Sequence, residues 1–193
     1  MSDVYDLHWK SIPSGEIEPY LTGERGLGRG VYLFVLATTY DTYVGYYVGK
    51  GNIRERWAHH VRNWFKNPED GYSLPKSVDA FLKDPVVVFN QGGPAVRTDE
   101  TRIQRQRTGR AMLDRTWFCW AEVEPLSGHR IENVEHVVQK ALKKHVGIRV
   151  EGEIGDDGRF CPASELTIRS FFEPPFLSNV LPPVFTFTPQ CSR

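Results

Sequence analysis

The sequence has few cysteines, no long apolar run and no excess of charge of either sign. Its three cysteines, Cys119, Cys161 and Cys191, are far apart and odd in number, so they suggest neither a disulfide framework nor a metal-ligand pair. No apolar stretch approaches the roughly 20 residues of a membrane-spanning helix, and residues 1–16 have no apolar core that would mark a signal peptide. These absences predict a protein of the reducing cytoplasm with no membrane partner.

The charges of the chain balance, with 24 basic side chains against 24 acidic ones. Because proteins that bind polyanions nonspecifically are often basic overall, this balance argues against such a role, although it leaves room for a local basic groove. A length of 193 residues is enough for one domain with its own core. We therefore expect a single domain over residues 1–193.

The apolar pattern predicts strands and helices in a definite order. Residues 31–38 and 43–48 are rich in β-branched and aromatic side chains and are joined by a short polar turn, which predicts an antiparallel hairpin. A helix over about 52–65, a strand over 117–123 and a helix over about 130–145 follow. Residues 1–29 are expected to be a flexible lead-in, 97–115 a helix or an ordered loop, and 164–171 a short helix.

Tyrosine, arginine and histidine are concentrated in and directly after the hairpin. The motifs are Gly30-Val31-Tyr32, then Tyr47-Val48-Gly49, then Asn-Ile-Arg-Glu-Arg-Trp-Ala-His-His over residues 52–60. Phenol and imidazole groups can orient and deprotonate a water, and a guanidinium can neutralise a phosphate. Tyr43-Val44-Gly45 also fits the second motif, and regular alternation would place Tyr43 and Tyr47 on the same side of the strand.

These motifs resemble the GIY-YIG nuclease family, over residues of about 30–65 and 115–145. The resemblance implies an α+β fold in which helices flank a small three-stranded antiparallel sheet. Residues 66–114 would then be an insertion and 146–193 a C-terminal extension. In the family, a lysine-bearing turn and an arginine-bearing helix follow the second motif closely, and that spacing assigns the motif to Tyr47 rather than Tyr43.

The resemblance also implies catalytic roles. Tyr32 and Tyr47 would orient the attacking water and take its proton, Arg56 would hold the scissile phosphate, and His60 would assist the tyrosine. His60 lies one helical turn after Arg56, whereas His59 points about 100° away around the helix.

The family further requires one carboxylate for Mg²⁺ (or Mn²⁺) on the later helix, where Glu132 and Glu135 compete. Glu135 lies about 70° from the centre of the apolar stripe and Glu132 about 130°, which favours Glu135 at the buried edge. The family often has an asparagine shortly after this helix, and none is found there. Asn179, after a pair of prolines, is the nearest candidate for that catalytic position.

The expected partner is double-stranded DNA. Lys50 and the arginine-rich segment, residues 97–115, are expected to contact the DNA. The arginines proposed for that contact are Arg102, Arg105, Arg107 and Arg110. A solvated charged helix explains the composition of the segment equally well. The expected function is metal-dependent hydrolysis of DNA by a site-specific, restriction-type endonuclease, and a homodimer would supply the two active sites that cutting both strands requires. The alternatives are a nucleic-acid-binding module on the same scaffold that does not cut, and an unrelated domain whose tyrosines are only core residues.

Overall fold

The fold was analysed in a computed structural model that describes residues 3–39, 42–66, 78–79, 99–124, 130–146 and 161–189. The strands are β1 (Asp3–Pro13), β2 (Arg29–Thr39), β3 (Thr42–Asn52), β4 (Thr116–Glu122), β5 (Leu166–Phe172) and β6 (Val184–Phe187). The helices are α1 (Glu18–Thr22), α2 (Ile53–His60), α3 (Asp99–Leu113) and α4 (Ile131–Val146). A π-helical turn, Val61–Lys66, continues α2, and 3₁₀ turns occupy Ser14–Glu16 and Pro175–Asn179.

The sheet is mixed and six-stranded, so the predicted three-stranded antiparallel sheet is wrong. The strand order is β3-β2-β4-β1-β5-β6, and β1 and β5 are the parallel pair. Strand β1 links the two halves of the sheet, because Lys10–Pro13 pair with β4 whereas Asp3–Trp9 pair with β5.

The added strands come from both ends of the chain, where no strand was predicted. In β1 the buried side chains of Tyr5, Leu7 and Trp9 alternate with exposed ones, which is the two-residue period of a half-buried strand. The expected helix over 164–171 is also wrong, since Leu166–Phe172 form β5, with Leu166 and Ile168 buried. A short apolar run is ambiguous between helix and strand, and here pairing with β1 decides it.

The core lies on both faces of the β3-β2-β4 part of the sheet. On one face, β2 contributes Tyr32 and Phe34, which pack with Trp57 of α2 and with Phe65. On the opposite face, Val31, Leu33 and Val35 pack with side chains of α4, β5 and β1. Strand β2 is therefore buried on both sides, as its continuous apolar sequence indicates. Among the described residues, no helix is long and apolar enough to cross a membrane.

Replacing Leu7 by alanine tests whether β1 belongs to the core. Leu7 is fully buried, so L7A should lower the free energy of unfolding by about 2–5 kcal/mol, through lost burial and the cavity left behind. Val4 lies three residues earlier in the same strand and is 44% exposed, so V4A should cost less than about 1 kcal/mol. Equal, small effects in urea denaturation would show that β1 is not a core strand.

Candidate active site

A capped helix follows directly on the hairpin and fixes the position of Arg56 and His60. The Asn52 side chain accepts a hydrogen bond from the Glu55 backbone N–H (3.3 Å) and donates one to the Glu55 carboxylate (2.9 Å), so α2 begins at Ile53. Arg56 and His60 are then one helical turn apart, with Arg56 exposed and His60 buried against the sheet.

A β-bulge at Tyr46 sets the direction of the second tyrosine. Phe34 pairs with Tyr47, but the next residue, Val35, pairs with Gly45, so Tyr46 is an extra residue in β3. Tyr47 consequently packs with the α2 face of the sheet, whereas Tyr43 packs on the opposite face, where its ring stacks on Phe176. The expectation that Tyr43 and Tyr47 face the same side is wrong, because the bulge shifts the alternation by one residue.

The residues Tyr32, Tyr47, Arg56 and His60 form one cluster on the α2 face. The Tyr32 hydroxyl is 3.0 Å from His60 Nε2, and hydrogen bonding also links this hydroxyl to Arg56 and to Tyr47. The Tyr47 and His60 rings meet edge to face, with their centroids 4.9 Å apart. The cluster lies beside β3, which is the terminal strand in the order of the sheet.

The glycine of the second motif makes this cluster sterically possible. Gly49 lies directly opposite Tyr32 in the β2–β3 register. A Cβ on Gly49 would overlap the Tyr32 ring and hydroxyl, so any larger residue would have to displace the phenol. Gly49 is thus needed for space, since the ring of Tyr32 passes over its backbone.

The predicted metal ligand, Glu135, is buried and holds an ion pair with Lys50. The Lys50 Nζ donates to Glu135 Oε2 at 2.5 Å, and the two side chains are 26% and 7% exposed. Lys50 pairs with Val31, whose side chain belongs to the α4 face of the sheet, and Glu135 lies on α4 itself. Burial raises the pKa of both Tyr47 and Glu135. The negative charge of Glu135 adds to the rise at Tyr47, and the positive charge of Arg56 opposes the rise at Glu135, so the tyrosine cluster and Glu135 are within electrostatic reach of each other.

Burial controls the protonation states of the cluster. Burial raises the pKa of Tyr32 and Tyr47 above the ordinary value, and the positive charge of Arg56 only partly offsets it. Burial, together with Arg56 and then His59, lowers the pKa of His60 to about 3. At neutral pH the site therefore holds two protonated phenols and a neutral imidazole beside a guanidinium.

Glu135 is the acidic group of the site. Burial raises its pKa, and the hydrogen bond and positive charge of Lys50 act in the opposite direction. Glu132, the competing candidate, is only half-buried, whereas the Glu135 side chain points inward as the helical periodicity indicates.

The described parts of the chain contain no group of three or more His, Cys, Asp or Glu side chains placed to hold a metal. A single carboxylate fits an ion that takes its remaining ligands from phosphate oxygens and water, as Mg²⁺ does.

The arginine-rich segment forms a helix, α3, that packs on the π-helical turn after α2. Helix α3 approaches the π-helical turn closely, since a Cβ on Gly109 would be 2.4 Å from the Phe65 carbonyl oxygen. Three of the four arginines predicted to contact DNA are exposed: Arg102, Arg107 and Arg110. Arg102 forms an ion pair with Asp99 (2.9 Å). Arg105 is buried. Burial argues against a direct contact between Arg105 and a phosphate in this conformation.

Asn179 is not brought into the cluster by any contact of the described residues. It is exposed at the end of the 3₁₀ turn that packs, through Phe176, on Tyr43. The part of the candidate site that sequence reasoning missed is the ion pair between Lys50 and Glu135. The sequence signal for this pair was the position of Lys50 directly after Gly49. Because Gly49 is opposite Tyr32, the Lys50 side chain lies on the face of the sheet opposite to Tyr32.

Comparisons with protein-family models, with curated proteins and with solved structures find no match to this chain.

The low pKa of His60 predicts how stability depends on pH. The folded protein keeps His60 neutral down to about pH 3, whereas the unfolded chain binds a proton near pH 6.5. The contribution of His60 to the free energy of unfolding should therefore be fully present above about pH 6.5 and be lost as the pH is lowered through the range between the two values. Urea unfolding of the wild type and H60Q between about pH 6.5 and 5 measures this, and the variant should take up about one proton fewer on unfolding. Identical pH dependence would contradict a buried, neutral His60.

Proposed function

We propose that this protein is a metal-dependent endonuclease that hydrolyses phosphodiester bonds in double-stranded DNA. The observation that carries the proposal is the convergence of Tyr32, Tyr47, Arg56 and His60, with the buried carboxylate of Glu135 in electrostatic reach. Two phenols, an imidazole, a guanidinium and one carboxylate are the groups that water activation and phosphate neutralisation need.

The proton of the attacking water would pass to His60 through Tyr32. Because burial keeps the Tyr32 phenol protonated, it can accept a proton only while it gives up its own. The neutral imidazole of His60, 3.0 Å away, is placed to take that proton. As the water oxygen bonds to phosphorus, the bond to the leaving sugar oxygen breaks and that oxygen takes up a proton from bulk water. Tyr47 would help to orient the attacking water.

Arg56 would bind the scissile phosphate. Arg56 is an exposed residue at the edge of the cluster, so an incoming phosphate can approach it, and its hydrogen bonds to the tyrosines fix its position. A bound phosphate would also offset the positive charge that helps to keep the pKa of His60 low, and this makes His60 a better base when the substrate is present.

Glu135 would hold Mg²⁺ or Mn²⁺ through its carboxylate. When bound, such an ion supplies positive charge that stabilises the phosphate oxygens in the transition state. The exposed arginines of α3, Arg107 and Arg110, lie on a helix that packs on the π-helical turn following His60, and they are the proposed further contacts to the DNA backbone.

A restriction-type role fits a chain that combines this site with a single sheet and an arginine-rich helix. Cutting both DNA strands would then use the sites of two copies of the chain, and the enzyme would act in the reducing cytoplasm.

Replacing Tyr32 by phenylalanine tests the proton path. Y32F removes only the hydroxyl, so cleavage of plasmid and phage DNA in Mg²⁺ should slow by at least about 100-fold while DNA binding persists. Tyr43 on the same hairpin is the matched control, since its ring stacks on Phe176 on the other face, and Y43F should cleave normally. Normal turnover by Y32F would refute the role of Tyr32. Wild-type protein that binds DNA but leaves it intact would favour the non-cleaving module.

Replacing Glu135 by glutamine tests the metal assignment. E135Q should lose cleavage in Mg²⁺ and in Mn²⁺ to the level that wild-type protein shows in EDTA, because the amide cannot supply the negative charge that a hard cation prefers. E132Q, one helical turn earlier on α4, is the control and should keep most of the activity. If E132Q is inactive and E135Q is active, the two glutamates have been assigned the wrong way round.

A further inference from the structure

The carboxylate assigned to the metal already has a cationic partner in the chain. Lys50 Nζ lies 2.5 Å from Glu135 Oε2, so the two groups are in direct contact as a charge-assisted hydrogen bond. The Glu135 side chain is 7% exposed, so an ammonium ion here offsets the cost of burying a carboxylate.

Lys50 is also a neighbour of the proposed phosphate-binding arginine. The next residue, Gly51, has a φ of 115°, and a Cβ placed on it would be 3.7 Å from Arg56 Cγ. The stem of Arg56 therefore runs beside the backbone of β3 one residue from Lys50. The flexible four-carbon chain of Lys50 therefore starts one residue from the Arg56 stem and reaches the Glu135 carboxylate.

Two cations compete for one carboxylate in this arrangement. A divalent ion on Glu135 would repel an ammonium on the same group, and the repulsion is stronger in a partly buried site than in water. A DNA phosphate at Arg56 offers the displaced ammonium a new anionic partner nearby. Metal binding and DNA binding would then each favour the other.

We propose that Lys50 is a positioning residue that holds Glu135 in the free protein and exchanges it for a DNA phosphate when the metal binds. The inference rests on the proposed function, since it takes Glu135 as the metal ligand. Its consequence is that the free protein binds metal weakly and the DNA complex binds it well.

Metal binding without DNA gives the first test. Titration calorimetry with Mn²⁺ at about pH 8, where carboxylates are ionised, should show K50M binding the ion at least about tenfold more tightly than the wild type. K50R keeps a cation and should bind as weakly as the wild type. K144M, on an exposed lysine of α4, is the control and should leave the affinity unchanged. If K50M does not fold, K50Q takes its place.

DNA gives the second test, in a Y32F background in which cleavage should be slow. With double-stranded phage DNA present, the Y32F protein should bind Mn²⁺ at least about tenfold more tightly than without DNA, and K50M should abolish most of that gain. A residue with a purely structural role would not alter this coupling.

The outcomes separate the two proposals. Mn²⁺ binding that E135Q abolishes but that K50M leaves unchanged or weakens would overturn the role of Lys50 and leave the proposed function standing. No Mn²⁺ binding that depends on Glu135 in any variant, with or without DNA, would contradict the proposed function itself.

Discussion

The candidate site depends on the packing of Tyr32 over the bare backbone of Gly49. A Cβ at position 49 would overlap the phenol, so the register that places these two residues opposite each other is what lets the Tyr32 hydroxyl reach His60. The site also depends on the bulge at Tyr46, because the bulge places Tyr47 on the same face of the sheet as Tyr32. The hairpin thus holds the side chains of the candidate site in fixed positions, which is the arrangement that catalysis by positioned groups requires.

Burial both packs the site and sets its charges. The apolar surroundings that keep the phenols protonated also keep His60 neutral, so the positive charge near the tyrosines comes from Arg56, and the negative charge comes from Glu135. Lys50 compensates Glu135 in the free protein. This balance matters because an uncompensated buried charge would destabilise the fold, and because the same cations are available to a phosphate.

The features that could be predicted from the sequence are those set by residues close together in the chain. The hairpin, the Asn52 cap and the one-turn spacing of Arg56 and His60 all depend on residues close in sequence, and they set most of the tyrosine cluster. The six-stranded sheet was missed because it requires Asp3 to pair with Leu166, a contact between the ends of the chain that no local pattern encodes. The face of the sheet on which Tyr47 lies is set by the bulge at Tyr46, and the alternation of side chains along the sequence does not reveal a bulge. The Lys50–Glu135 pair joins residues 85 positions apart and was missed for the same reason.

The proposed function requires that this cluster and Glu135 form one site around a DNA phosphate. A crystal structure of the Y32F variant with double-stranded DNA and Mn²⁺, with anomalous diffraction to locate the ion, tests it most directly. We expect an anomalous peak on the Glu135 carboxylate and a phosphate in contact with Arg56. DNA bound elsewhere on the protein, with no manganese at Glu135, would contradict it.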